Sequence, residues 1–171
     1  VYQAWLMEVV FSLVYQAGGL ALLLMLKALL ITASYALLFS AVLTCARGDW
    51  RLAALATLFA AALGITNSDL RPQVITFPLL AWTLRCVVMM ETTDGRSRCL
   101  WSLPPLFVLW ANSHGGFVFG LALLAASAAG ELLDWLLKRK PFPKQVVGVA
   151  LLCAAAVFIS PMGTGVIDYV L

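Results

Sequence analysis

Apolar residues run along this chain in seven blocks separated by short polar, glycine or proline breaks. The first block, Trp5 to Gln16, is apolar on most sides but spaces Glu8, Ser12 and Gln16 four residues apart, which draws one polar stripe down a helix. At about 18 Å such a helix is short of a hydrocarbon core of about 30 Å, so it is expected to lie in the membrane interface. Gly18-Gly19 ends it. Leu20 to Cys45 follows, charged only at Lys27, and is long enough to cross a bilayer with tilt. Lys27 lies near its first end, where it can snorkel.

The remaining blocks are shorter. Arg47 to Arg51 forms a turn, and Leu52 to Ile65 is a second apolar helix that ends at Thr66-Asn67-Ser68-Asp69. Pro72 suits the first turn of a third helix continuing to Met90, since its missing N–H would have no partner there. Asp69 is then expected at or before the N-cap. After the polar loop Glu91 to Arg98, Cys99 to Ala111 is apolar but holds Pro104-Pro105, expected to bend or interrupt it. Phe117 to Leu137 is a clean crossing with Gly120, Ala125, Ala126, Ala128, Ala129 and Gly130 suited to close helix packing. The basic turn Lys138 to Lys144 leads into Gln145 to Ile159, and Ser160-Pro161-Met162-Gly163 breaks the pattern again.

Composition agrees with a membrane protein. Of 171 residues 63% are hydrophobic and 11% charged, and the mean hydropathy is +0.99, far from the balance of a water-soluble domain. The predicted fold is a single all-α transmembrane domain over residues 1–171, with about six crossings behind an N-terminal interfacial helix. Eight of the eleven basic residues fall in the turns Arg47 to Arg51, Glu91 to Arg98 and Lys138 to Lys144, and the opposite loops carry only Arg71. The positive-inside rule makes the first set cytoplasmic. Glu8, Asn67, Asp69, Arg71, Gln73, Asn112, His114, Ser160 and Asp168 then share the outer face. Because Trp50 to Ile65 and Cys99 to Ala111 are short of the hydrocarbon thickness, their outer ends are expected to border an outward-facing cavity.

A net charge of +3 without a basic aromatic patch gives no sign of nucleic acid. Cys45, Cys86, Cys99 and Cys153 are scattered, with neither zinc spacing nor a disulfide framework. The chain starts in mid-pattern at Val1-Tyr2-Gln3, so it is expected to be a piece of a longer one.

The distinctive polar cluster is Asn112-Ser113-His114-Gly115-Gly116, which holds the only histidine. One reading is a connection between helices, in which Asn caps and Gly turns the chain. The other is a site where Asn112 and His114 bind an anionic or hydroxylated ligand with help from the helix N-terminus near Phe117. Arg71-Pro72-Gln73 also reads two ways: a helix start with Arg71 paired to Asp69, or a phosphate clamp using the planar guanidinium fork. Glu8 belongs to the polar stripe or serves as a base. Lys27 and Arg85 read as snorkelling or packing charges. Trp5, Trp50, Trp101 and Trp110 read as interface anchors.

Taken in order, Trp5-Leu6-x-Glu8, Gly18-Gly19, Arg71-Pro72-Gln73, Trp110-x-Asn112-x-His114-Gly115-Gly116-Phe117 and Pro161-x-Gly163 resemble a group of bacterial integral membrane proteins similar to the GT-C glycosyltransferases. The resemblance covers essentially the whole chain. It departs where Gln3-Ala4 stands in place of His-Glu and Ser160-Pro161-Met162-Gly163 in place of Asn-Pro-Tyr-Gly. The resemblance implies transfer of a sugar from a polyprenyl-phosphate carrier to an acceptor, on the outer side of a bacterial cytoplasmic membrane. Arg71, Gln73, Asn112 and His114 would bind substrate, and Asp69, Pro72, Gly115 and Gly116 would shape the loops. The base would be Glu8 or a carboxylate upstream of Val1, with a divalent cation as the one cofactor in view. Partners are then a lipid-linked sugar phosphate and membrane lipids. The alternative is a noncatalytic membrane subunit that packs against other subunits, with a variant in which His114 ligates a haem or chlorophyll in room left by Gly115, Gly116 and Gly120.

Overall fold

The computed structural model describes residues 4–64, 69–92, 98–139, 141–163 and 165, and all regular structure among them is helical. Six α-helices follow in order: α1 (Trp5–Cys45), α2 (Trp50–Gly64), α3 (Thr76–Thr92), α4 (Leu103–Ser113), α5 (Phe117–Leu136) and α6 (Lys144–Ala156). Two 3₁₀ turns, Pro72–Ile75 and Arg98–Ser102, lead into α3 and α4.

The glycine break falls where the sequence places it. Inside α1, Gly18 (φ −156°, ψ 21°) and Gly19 (φ 62°, ψ −157°) leave helical geometry, and Gly19 takes a conformation that a side chain would strain. Helix α1 is thus a short helix joined to a long one. At its far end the chain reverses, and Asp49 Oδ1 accepts the Arg51 and Leu52 N–H groups at 3.0 and 3.2 Å, capping α2.

Prolines start elements here. Pro72 sits in the first turn of its 3₁₀ helix behind an extended Arg71 (φ −134°, ψ 158°), the conformation that a following proline favours. Arg71 is therefore the N-cap residue. Asp69, expected at or before that cap, lies two residues earlier and gives its carbonyl to the Arg71 N–H at 2.9 Å. Pro104 and Pro105 do not bend a continuous helix; they occupy the first turn of α4, where their missing N–H groups leave nothing unpaired. The residues before them wind as the 3₁₀ turn, and α4 is left about 17 Å long.

Three segments are long and apolar enough to cross a membrane: Trp5–Cys45, Pro72–Thr92 and Phe117–Leu136. Helices α2 and α6 are apolar but shorter. Against the expectation of about six crossings, three segments among the described residues have crossing length.

The core lies among α3, α4, α5 and α6, where Met90, Leu103, Phe107, Trp110, Leu124 and Val149 are almost fully buried. Helix α5 contributes a buried stripe at Phe117, Gly120, Leu124 and Ala128, the period of one helix face. Gly120 is required there, because a Cβ would come within 2.6 Å of Trp110 Cζ3 and 2.8 Å of Phe107 Cζ. Helix α1 packs on the other flank of α3, with α2 against α1. Helix α2 buries only Ala53 and exposes Leu52, Leu55, Leu58, Phe59 and Leu63. Such a face suits hydrocarbon surroundings, since exposed apolar patches of this extent are rare on monomers in water.

Candidate functional site at the α4–α5 turn

The α4–α5 connection closes on itself through His114. Its backbone is extended (φ −169°, ψ 148°) at the C-cap of α4, and its ring folds forward so that Nδ1 accepts the Gly116 N–H at 3.0 Å. In the neutral ring that acceptor role puts the proton on Nε2. Thr76 Oγ1, at the start of α3, stands 3.1 Å from the same Nδ1 and accepts the Trp110 Nε1–H at 3.2 Å. A hydroxyl therefore links the indole of α4 to the imidazole of the turn. Gly116 is needed at this approach, because a Cβ on it would run into the Thr76 hydroxyl and methyl. Burial holds the His114 pKa below its ordinary value, which favours the neutral ring. Nε2 has no hydrogen-bond partner among the described residues.

Asn112, two residues before His114, is a tie between elements. Its Oδ1 accepts the Trp5 Nε1–H at 3.1 Å, and its Nδ2 donates to Val108 O at 2.8 Å and to Ile159 O at 2.9 Å. Both amide protons and one carbonyl lone pair are thus used to join the start of α1 and the chain after α6 to α4. Ser160 Oγ, beside this tie in sequence, is buried without a partner among the described residues.

The sequence-derived site residues fall at one end of the bundle but do not form one pocket. Arg71 is well exposed and pairs with Asp69 at 3.6 Å. It stands five residues before Thr76, about 10 Å along a 3₁₀ rise, and its turn packs against α1 and α4. Gln73 is half-buried in that turn, and its carbonyl accepts the Thr76 N–H. Glu8 is exposed, three residues after Trp5 on α1. Gly115 accepts the Val118 N–H at 3.4 Å and Gly116 the Phe119 N–H at 3.1 Å. Those N–H groups, expected to help hold an anion, are therefore already engaged, as is that of Gly116.

Asn67 and Asp168 lie outside the described residues. A cavity lies between α1, α2 and α3, and neither Arg71, Asn112 nor His114 lines it. Two expectations are corrected. The room for a macrocycle beside Gly116 and Gly120 is filled by Thr76, Phe107 and Trp110. Trp110 is no interface anchor: it is wholly buried and stacks at 5.3 Å, tilted, on Phe107. Trp50 and Trp101 do remain exposed.

Sequence reasoning missed Thr76. A lone threonine at a helix start carries no signal until the fold sets it against Trp110 and His114. Among the described residues no three His, Cys, Asp or Glu side chains gather as a metal site would require. Compared with family models, curated proteins and solved structures, the chain matches none.

Proposed function

We propose that the chain is the multi-pass bundle of a GT-C-like sugar transferase of a bacterial cytoplasmic membrane, and that the His114 end faces outward and holds the phosphate of a polyprenyl-phosphate-linked sugar. The observation that carries this reading is the presence, at one end of apolar helices, of an exposed guanidinium and a neutral imidazole whose Nε2–H is unengaged. Arg71 can leave its long, exposed contact with Asp69 for a bidentate phosphate. His114 Nε2–H can donate to a phosphate or sugar oxygen while Nδ1 stays committed to the turn. Asn112 then acts at a distance from substrate, fixing the loop that carries His114. Glu8, or a carboxylate from outside these residues, would take the acceptor proton.

The noncatalytic subunit reading also has an observation in its favour. Asn112 and the Val118 and Phe119 N–H groups are spent on internal bonds, as a purely structural turn requires.

Polyprenyl-phosphate binding to the purified protein in detergent separates the two. Arg71→Ala should weaken binding about tenfold or more, as expected for a lost charge-assisted bond, and Arg71→Lys should weaken it less. Equal affinity in wild type and Arg71→Ala would leave the subunit reading.

A further inference from the structure

Two features of the α1–α3 seam adjoin each other, and the second lies away from the His114 end. One is a cavity of about 210 Å³ between α1, α2 and α3, walled by apolar side chains that include Ile31, Leu38, Ala60, Phe77 and Leu84. A water there would lack the several polar partners it needs, so hydrocarbon is the fitting content. Its α3 wall runs from Phe77 to Leu84, about 10 Å along the axis.

The other is Arg85, the residue after Leu84. It is half-buried, and its Nη1 donates to Ser40 Oγ on α1, two residues beyond Leu38. This bond holds the guanidinium across the seam instead of letting it extend to the end of α3 at Thr92. Among the described residues no carboxylate pairs with it, although a guanidinium offers five N–H donors. A charge set among apolar helices without a counter-charge is unfavourable until an anion reaches it.

We propose that this face binds one anionic phospholipid, with its phosphate on Arg85 and Ser40 and one acyl chain in the slot running from Leu84 toward Phe77. The cation and the slot are adjacent and in the order that such an amphiphile needs. Arg47, in the turn that follows α1, and Arg51, in the first turn of α2, lie at the same end, where Asp49 and Glu91 oppose them in part. The leaflet follows from the orientation proposed above: this end is cytoplasmic, where anionic lipids collect. Arg85 lies about 10 Å from the end of α3, inside the span, where a guanidinium draws a headgroup inward by snorkelling and local thinning of the bilayer.

The test uses the full chain in mild detergent, titrated with phosphatidylglycerol and with phosphatidylcholine and read by native mass spectrometry. Wild type should bind phosphatidylglycerol in preference. Arg85→Gln should weaken that lipid about tenfold and abolish the preference. Ala81→Leu, an apolar change that fills the slot, should weaken both lipids and keeps the proposal testable where the Arg85 variant does not fold. Equal affinity of wild type for the two lipids, full phosphatidylglycerol binding by either variant, or a copurifying protein carboxylate on Arg85 would overturn it. Neither variant touches Arg71, so this result and the polyprenyl-phosphate result stand or fall separately.

Discussion

Trp5 Nε1 donates to Asn112 Oδ1 at 3.1 Å, joining the start of α1 to the end of α4 across 107 residues of chain. The short helix before Gly18 is thereby pinned to the bundle. Interhelical hydrogen bonds in membranes average about 0.6 kcal/mol and reach about 1.7, so Trp5→Phe should destabilise within that range. Asn112→Ala should lose about 2 to 3 kcal/mol, because it also leaves the Trp5 N–H and the Ile159 carbonyl without their partner. Unfolding in mixed micelles measures both. A double variant that loses the full sum of the two single losses would show that the two side chains are uncoupled.

Gly116 at the N-cap of α5 and Gly120 within it hold neighbouring helices close, and Gly130 does not. Gly116→Ala meets Thr76, and Gly120→Ala meets Trp110 and Phe107, whereas nothing lies within 4 Å of a Cβ on Gly130. The first two changes should each destabilise by about 1 to 3 kcal/mol through overpacking. Gly130→Ala should be neutral or slightly stabilising, since alanine favours the helix. The same unfolding assay ranks the three, and Gly120→Ala as stable as Gly130→Ala would contradict the packing described here.

Helix positions were legible in the sequence because their determinants are local. Gly18-Gly19, Pro72 and Pro104-Pro105 act through backbone geometry within a few residues, and the interruption expected at Pro104-Pro105 is the change from the 3₁₀ turn to α4. What joins the helices was not legible. Trp110 has the composition of an interface anchor, and its burial follows only from α3 and α5 closing over it at Thr76 and Gly120. Likewise Arg85 reads as a snorkelling charge until Ser40 is seen to hold it across the seam. For the site, the sequence brought Arg71, Asn112 and His114 to one end, but the pattern contains nothing to tell that Ile159 and Trp5 would saturate Asn112.

Orientation rests on the distribution of basic residues and can be read directly. In a background without the four cysteines, Asp69→Cys should react with an impermeant maleimide applied outside intact cells. Arg139→Cys, also on an exposed side chain, should react only after the cells are opened. Labelling of position 139 from outside would invert the bundle and place the His114 end in the cytoplasm.

His114 gives the protein a pH dependence whose sign follows from its burial. Its pKa is lowered in the folded chain from an ordinary 6.5, so below that value the unfolded chain binds the proton more readily. The contribution of the neutral ring to stability is complete above the unfolded value and is lost as pH falls through the folded one. Structure gives the same direction, since a proton on Nδ1 would remove the acceptor for the Gly116 N–H and set like donors against each other. Stability should therefore decline as pH falls below about 6.5. In His114→Asn the side-chain oxygen can still accept the N–H two residues on, as asparagine does in turns. That variant should keep most of the stability near neutral pH and lose this share of the pH dependence, while His114→Leu should lose about 1 kcal/mol at every pH through the missing acceptor. Unfolding curves for the three proteins on both sides of that value decide it: a slope unchanged in His114→Asn would assign the pH dependence to another group.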